Sequence, residues 1–335
     1  MAYTTIDNPE LYMQVKLYSG NSDTQAITFD GSENMQPDMM WFKGRNFADD
    51  HTVIDSVRGI TQAVYPDTTG AETTQSHYMT AIGSDGFTLD DSGIMNRTDR
   101  TYVAWCWKES ATAGFDIVTY TGNGTDDTDI SHNLSAVPKM IIIKNRDAAD
   151  DWQIYHAGNT SSPETDYLVL NENDATADNV DRWSDEAPTS SVFTLGDADE
   201  VNTDTEDYIA YCFAEKQGFS KVGGSYTGNG DVDGPFIYTG FKPAFFLTKR
   251  SDVANAWVMF DNKRDSYNEV TKNIYGNTNE AEETDSNNND LDFLSNGIKI
   301  REDNNAINAD GGTYIYMAFA EAPFVNSKGV PANAK

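Results

Sequence analysis

Three stretches of this chain carry the same landmarks in the same order, and that repetition limits the fold more than any other feature. Each stretch opens on a tyrosine turn: Tyr18-Ser-Gly-Asn-Ser22, Tyr120-Thr-Gly-Asn-Gly124 and Tyr226-Thr-Gly-Asn-Gly230. Each then reaches a proline and an apolar run ending in lysine, Pro37 to Lys43, Pro138 to Lys144 and Pro243 to Lys249. A ring follows eight residues past each lysine: His51, Trp152 and Trp257. Each stretch closes on an aromatic strand starting at Tyr102, Tyr208 or Tyr314. Four landmarks held at one spacing do not arise from composition bias, so the chain reads as a triplicated module.

Within a module the texture is β. Short runs rich in Val, Ile, Tyr, Phe and Thr alternate with Gly, Asn and Asp turns. The middle module offers seven such runs: 117–120, 129–131, 139–144, 152–155, 167–171, 192–195 and 208–213. That density predicts three tandem antiparallel β-sandwich domains, lectin-like or jelly-roll-like, at 1–110, 111–216 and 217–335. No amphipathic helix is expected. The connectors 110–113 and 215–218 are too short for free tumbling, so neighbouring domains should touch. The acidic, Asn-rich segment 280–290 reads as a mobile loop in the third domain, and the residues after Phe324 as a tail.

Charge narrows the partners. With 23 basic and 54 acidic side chains the net charge is −31, which repels nucleic acid and anionic membranes. A disordered acidic chain would be poor in aromatics, whereas this one has 16 Phe, 17 Tyr and 6 Trp. No apolar run approaches the ~20 residues of a membrane span, and the opening lacks the pattern of a secretory leader.

Few groups suit chemistry. Cys106 and Cys212 share a slot of the closing strand that Ala318 fills in the third copy, so they read as small core residues. His51, His77, His132 and His156 form no metal-ligand or catalytic spacing. The acids Asp49, Asp50, Asp150, Asp151, Asp126, Asp127, Asp129, Asp231 and Asp233 read as solvated loops that could at most supply a weak divalent site, such as calcium. No other cofactor is expected. Two sets remain as ligand or partner contacts. Lys43, Arg45, Lys144, Arg146, Lys249 and Arg250 recur at one place, either as a rail for a partner or as strand-end cations paired with nearby Asp. Tyr18, Tyr120 and Tyr226 are either sugar platforms or sandwich-corner tyrosines bonded to backbone.

The first module carries Pro37-Asp-Met-Met-Trp-Phe-Lys43 with Arg45, then Asp55-Ser-Val-Arg-Gly59, Ser84-Asp-Gly-Phe87 and Tyr102–Lys108. This set resembles a repeat family of marine and cyanophage-type bacteriophage virion proteins, tail-fibre-like proteins among them, and the ending Phe319–Pro331 is similar to theirs. The second and third modules look like copies lacking D-x-V-R-G. The resemblance carries no catalytic residues. It implies a non-enzymatic virion surface protein assembled in the host cytoplasm, multimeric in the particle, contacting other tail or capsid proteins and a host surface glycan or protein. A tail-associated fibre or adhesin is the first expectation. A capsid decoration protein is the second, and a polysaccharide depolymerase the third.

Overall fold

The computed structural model describes residues 3–283 and 289–333. It is all-β and antiparallel. In the first repeat the main sheet orders Met13–Ser19, Thr101–Trp107, Met39–Gly44 and Thr52–Asp55. The second repeat orders Phe115–Thr121, Asp207–Phe213, Met140–Asn145, Gln153–His156, Asp166–Val169 and Ala177–Asp178. The third orders Ser220–Thr227, Thr313–Pro323, Phe241–Arg250, Trp257–Asp261 and Ile274–Tyr275. The closing strand always lies between the opening strand and the lysine strand. Its register agrees in all three, with Lys43 opposite Val103, Lys144 opposite Ile209 and Lys249 opposite Ile315. Smaller sheets cover one face of each main sheet: 25–27 with 86–89 and 79–83, 128–131 with 192–195, and 236–238 with 297–300 and 291–294. All seven runs expected in the middle repeat are strands. The two-residue strand Ala177–Asp178 and the single helical turns Val180–Trp183, Asp199–Asn202 and Asn305–Asn308 were not expected.

Strand alternation sends side chains two ways. Tyr102, Ala104 and Cys106 enter the interior of the first repeat, and Tyr208, Ala210 and Cys212 that of the second. The opposite face carries Val103, Trp105 and Trp107, then Ile209, Tyr211 and Phe213, then Ile315, Met317 and Phe319. These nine belong to one core shared by the three repeats. Trp107, Phe213 and Phe319 occupy the same slot, and each meets the other two edge-on, with centroids 6.4, 5.7 and 6.0 Å apart. Three equivalent rings in mutual contact define an approximate threefold axis. The repeats therefore close into a ring, and the first touches the third. A tandem row with separate cores does not describe this: the shared core runs on into the third repeat's own interior, through Phe246, Phe293 and Ile298.

The turns match as closely as the strands. Ser22, Gly124 and Gly230 take left-handed φ of 57°, 62° and 62°, and Asp99, Thr205 and Gly311 take 66°, 71° and 70°. A buried asparagine ties each pair: Asn96, Asn202 and Asn308 accept from the backbone N–H of Asn21, Asn123 and Asn229. Of the expected loop 280–290, residues 284–288 lie outside the described residues. The part before them is not loose, because Glu282 is held by two arginines.

Candidate functional site

The seams between repeats take up several of the residues that the sequence singles out. Lys43, Lys144 and Lys249 are buried instead of forming an outer rail, and Lys43 and Lys249 reach a neighbouring repeat. Lys43 donates to the carbonyls of Gly44 and Asn279, Lys249 to those of Asn173 and Arg250, and Lys144 to those of Ala148 and Asp150. Strand-end pairing with aspartate carboxylates is thus replaced by donation to backbone. Burial pushes all three ammonium groups down to about 8, against the pull of nearby acids.

Arg45 and Arg146 reach across. Arg146 grips Glu72 at 3.0 and 2.8 Å, joining the second repeat to the first. Arg45 grips Glu282 at 2.9 Å twice, joining the first to the third. Arg250 does not belong to this set. It pairs with Asp252 beside it, and Ser251 fills the third arginine slot. Backbone bonds settle the match: Glu72 N–H to Arg146 O, Glu282 N–H to Arg45 O and Thr176 N–H to Ser251 O.

A second layer lies beneath. Asp55 and Arg58 pair at 2.6 Å with fully buried side chains, and so do Asp261 and Arg264 at 2.5 Å. The third repeat lacks D-x-V-R-G, as expected, but keeps its Asp and Arg in Asp261-Asn-Lys-Arg264. Each aspartate accepts a donor from the next repeat, Tyr211 Oη at 2.8 Å on Asp55 and Trp105 Nε1 at 3.0 Å on Asp261. Glu72 also accepts from Arg58, and Glu282 from Arg264. Two seams thus contain an Asp–Arg–Glu–Arg chain. In the seam between the second and third repeats the same slots hold His156, Asn159, Thr176 and Ser251, and the donor slot holds Met317. Burial pushes His156 down to about 4. Neutral, it accepts from Gly158 N–H at Nδ1 and donates from Nε2 to Tyr316 O at 3.1 Å.

The landmark rings close the circle. Trp152 Nε1 donates to Tyr65 O at 3.0 Å, Trp257 Nε1 to Val169 O at 2.9 Å, and His51 Nε2 to Tyr275 O at 3.0 Å. His51 Nδ1 accepts from Trp41 Nε1, which fixes the neutral tautomer. Each ring binds the preceding repeat, and the first binds the third.

Tyr18, Tyr120 and Tyr226 turn inward. Their hydroxyls donate to Met95 O, Val201 O and Ile307 O at 2.7–2.8 Å, and their rings stack on Tyr102, Tyr208 and Tyr314 at 4.8–5.1 Å. That is the corner arrangement, with hydroxyl and one ring face consumed. Cys106 and Cys212 are buried free thiols. The acidic loops find local partners: Asp126 accepts from Ser184, Asp129 from Thr194, and Asp233 pairs with Lys299. Among the described residues, the one group of three ligand atoms close enough for a cation is elsewhere, at exposed His77 and Asp91 and half-buried Asp90.

Three matched glutamates show how each copy settles its charge. Glu215 pairs with Lys221 at 3.0 Å and Glu321 with Lys242 at 2.6 Å. Glu109 faces Asp116, and burial together with that carboxyl pushes it up to about 7. Two clefts open beside the lysine-paired glutamates. One, of about 270 Å³, lies between the first and third repeats beside Lys242 and Glu321. The other, of about 360 Å³, lies beside Glu215 and is walled by Tyr3 and Tyr238.

A family described as a domain of unknown function, DUF7483, matches residues 8–323. The chain belongs to the DUF7483 family. The matched stretch runs through all three repeats, so the DUF7483 unit is the whole ring and not the single module. No curated protein and no solved structure matches the chain. Sequence reading missed the asparagine pins, the glutamate partners and Asp261–Arg264. The even spacing of Asn96, Asn202 and Asn308 was the available signal for the first.

Proposed function

We propose that this DUF7483 chain is a non-enzymatic structural protein of a bacteriophage particle, displayed on its outer surface as a tail-associated attachment protein. The resemblance of the first-repeat motifs supports the particle. The single structural observation behind a scaffold role is that the buried Asp–Arg pairs and the landmark rings join one repeat to the next. The buried Asp–Arg pairs, the neutral histidines and the lysines each have their partners in or beside a seam. A capsid decoration role is the second reading, favoured by the approximate threefold ring, which suits a threefold position on a shell. Immunogold labelling of intact particles decides between them. Label on tail tips supports attachment, label over the head supports decoration, and unlabelled particles overturn both. Release of reducing sugar from host envelope by the purified chain would overturn the non-enzymatic part.

A further inference from the structure

The outer strand of the third repeat differs from its two counterparts in what it shows to solvent. Ile27, Ile130 and Ile237 occupy one slot, all buried toward their own sheets. The flanking positions point to solvent. They hold Ala26 and Thr28 in the first repeat, Asp129 and Ser131 in the second, and Phe236 and Tyr238 in the third. Phe236 is 46% exposed and Tyr238 55%. Rings two residues apart on a strand share a face at a pitch of about 7 Å. Exposed rings at positions where small or polar residues serve equally well mark an interaction site.

The cleft of about 360 Å³ lies at the end of this row, the size of a small-ligand site. Tyr3 and Tyr238 share its wall, their hydroxyls hydrogen-bonded at 3.3 Å, and Tyr3 Oη donates to Gly240 O at 2.8 Å. Gly240 has φ of +82°, and a Cβ there would stand 2.7 Å from the Tyr3 hydroxyl, so the wall needs glycine. Glu215, Gln217, Lys221 and Thr239 supply polar edges. Lys221 and Glu215 already neutralise each other at 3.0 Å.

We propose that this cleft and the Phe236–Tyr238 row bind a neutral oligosaccharide. Apolar sugar faces would lie against the rings and hydroxyls would meet the polar edges. Neutral glycans are favoured because Lys221, the cation lining the cleft among the described residues, is paired with Glu215 and the chain carries −31. A protein segment suits the site less, since the outer strand offers three residues and the cleft is small. The inference rests on the attachment reading for its biological meaning.

Saturation-transfer NMR on the full chain, with maltoheptaose, cellohexaose and chitohexaose as probes, tests it. Transfer to at least one probe is expected. Tyr238→Ala should weaken it roughly tenfold, and Tyr267→Ala, exposed elsewhere, should leave it unchanged. Melting curves check that both variants fold. Absence of transfer to all three probes, equal transfer in Tyr238→Ala, stronger binding of an alginate oligomer, or Tyr238-dependent self-association in sedimentation would each overturn the proposal. Sugar binding by a chain missing from particles would keep the cleft and remove the attachment role. Labelled particles without sugar binding would do the reverse.

Discussion

Two seams of the ring carry a charged quartet and the third fills the same four slots with neutral side chains, yet the matched backbone bond across all three agrees to within 0.1 Å. The charged seams place Asp55–Arg58–Glu72–Arg146 and Asp261–Arg264–Glu282–Arg45 in line. The neutral seam has His156, Asn159, Thr176 and Ser251 in those slots. The four positions change as a set because removing one member strands a buried charge, whereas replacing all of them does not. Shape complementarity around Trp107, Phe213 and Phe319 closes the ring, and the charges are one of two ways to fill the space beside it.

Substitutions that strand a charge should separate the seams most. Arg264→Met leaves Asp261 buried without its cation and should cost about 3–5 kcal/mol in urea unfolding. Its counterpart Asn159→Ala should cost ~1 kcal/mol. Equal losses would break the contrast. His156→Asp puts a lone carboxylate into the neutral seam and should cost about 3 kcal/mol, most of it recovered on adding Asn159→Arg, Thr176→Glu and Ser251→Arg. Failure of that rescue would mean the backbone, not the quartet, differs between seams. Trp105→Phe removes the indole donor to Asp261 and should cost ~1–3 kcal/mol, while the matched Met317→Leu should cost under ~1.5 kcal/mol.

The smallest effects concern pH. The three lysines sit near 8 when folded and near 10.5 in the ordinary state, so the unfolded chain binds more protons between those values. Stability should rise with pH across that window, and Lys144→Met should show a smaller rise in urea midpoint between pH 8 and 10. Glu109 has the opposite sign. Its pKa is raised from 4.5 to about 7, so its contribution is present below pH 4.5 and is lost as pH rises through 7. Thermal melts of Glu109→Gln should show a flatter profile between pH 5 and 7.

Legibility followed the range of the interaction. The closing strand shows its small and bulky faces by alternation, and the exchange of Cys106 and Cys212 with Ala318 marks the cramped one. Tyr18, Tyr120 and Tyr226 are readable as corners because their turns are local. The lysines misled, because a cation at a strand end looks exposed until another repeat covers it. Arg250 was set beside Arg45 and Arg146 through adjacency to Lys249, although backbone register puts Ser251 there. The exposed pair Phe236 and Tyr238 is not legible locally because each residue is ordinary in a strand, and its meaning comes from comparison with Ala26, Thr28, Asp129 and Ser131.

By itself the amino-acid order established that a β module occurs three times, since strand period and turn chemistry act over a few residues and leave their mark in each copy. It also showed that both faces of the central strands are apolar. Only the tertiary structure decided what covers the second face. Its cover comes from residues about a hundred positions away, and whether three sheets stand in a row or close around Trp107, Phe213 and Phe319 depends on how their surfaces fit, which no local pattern encodes.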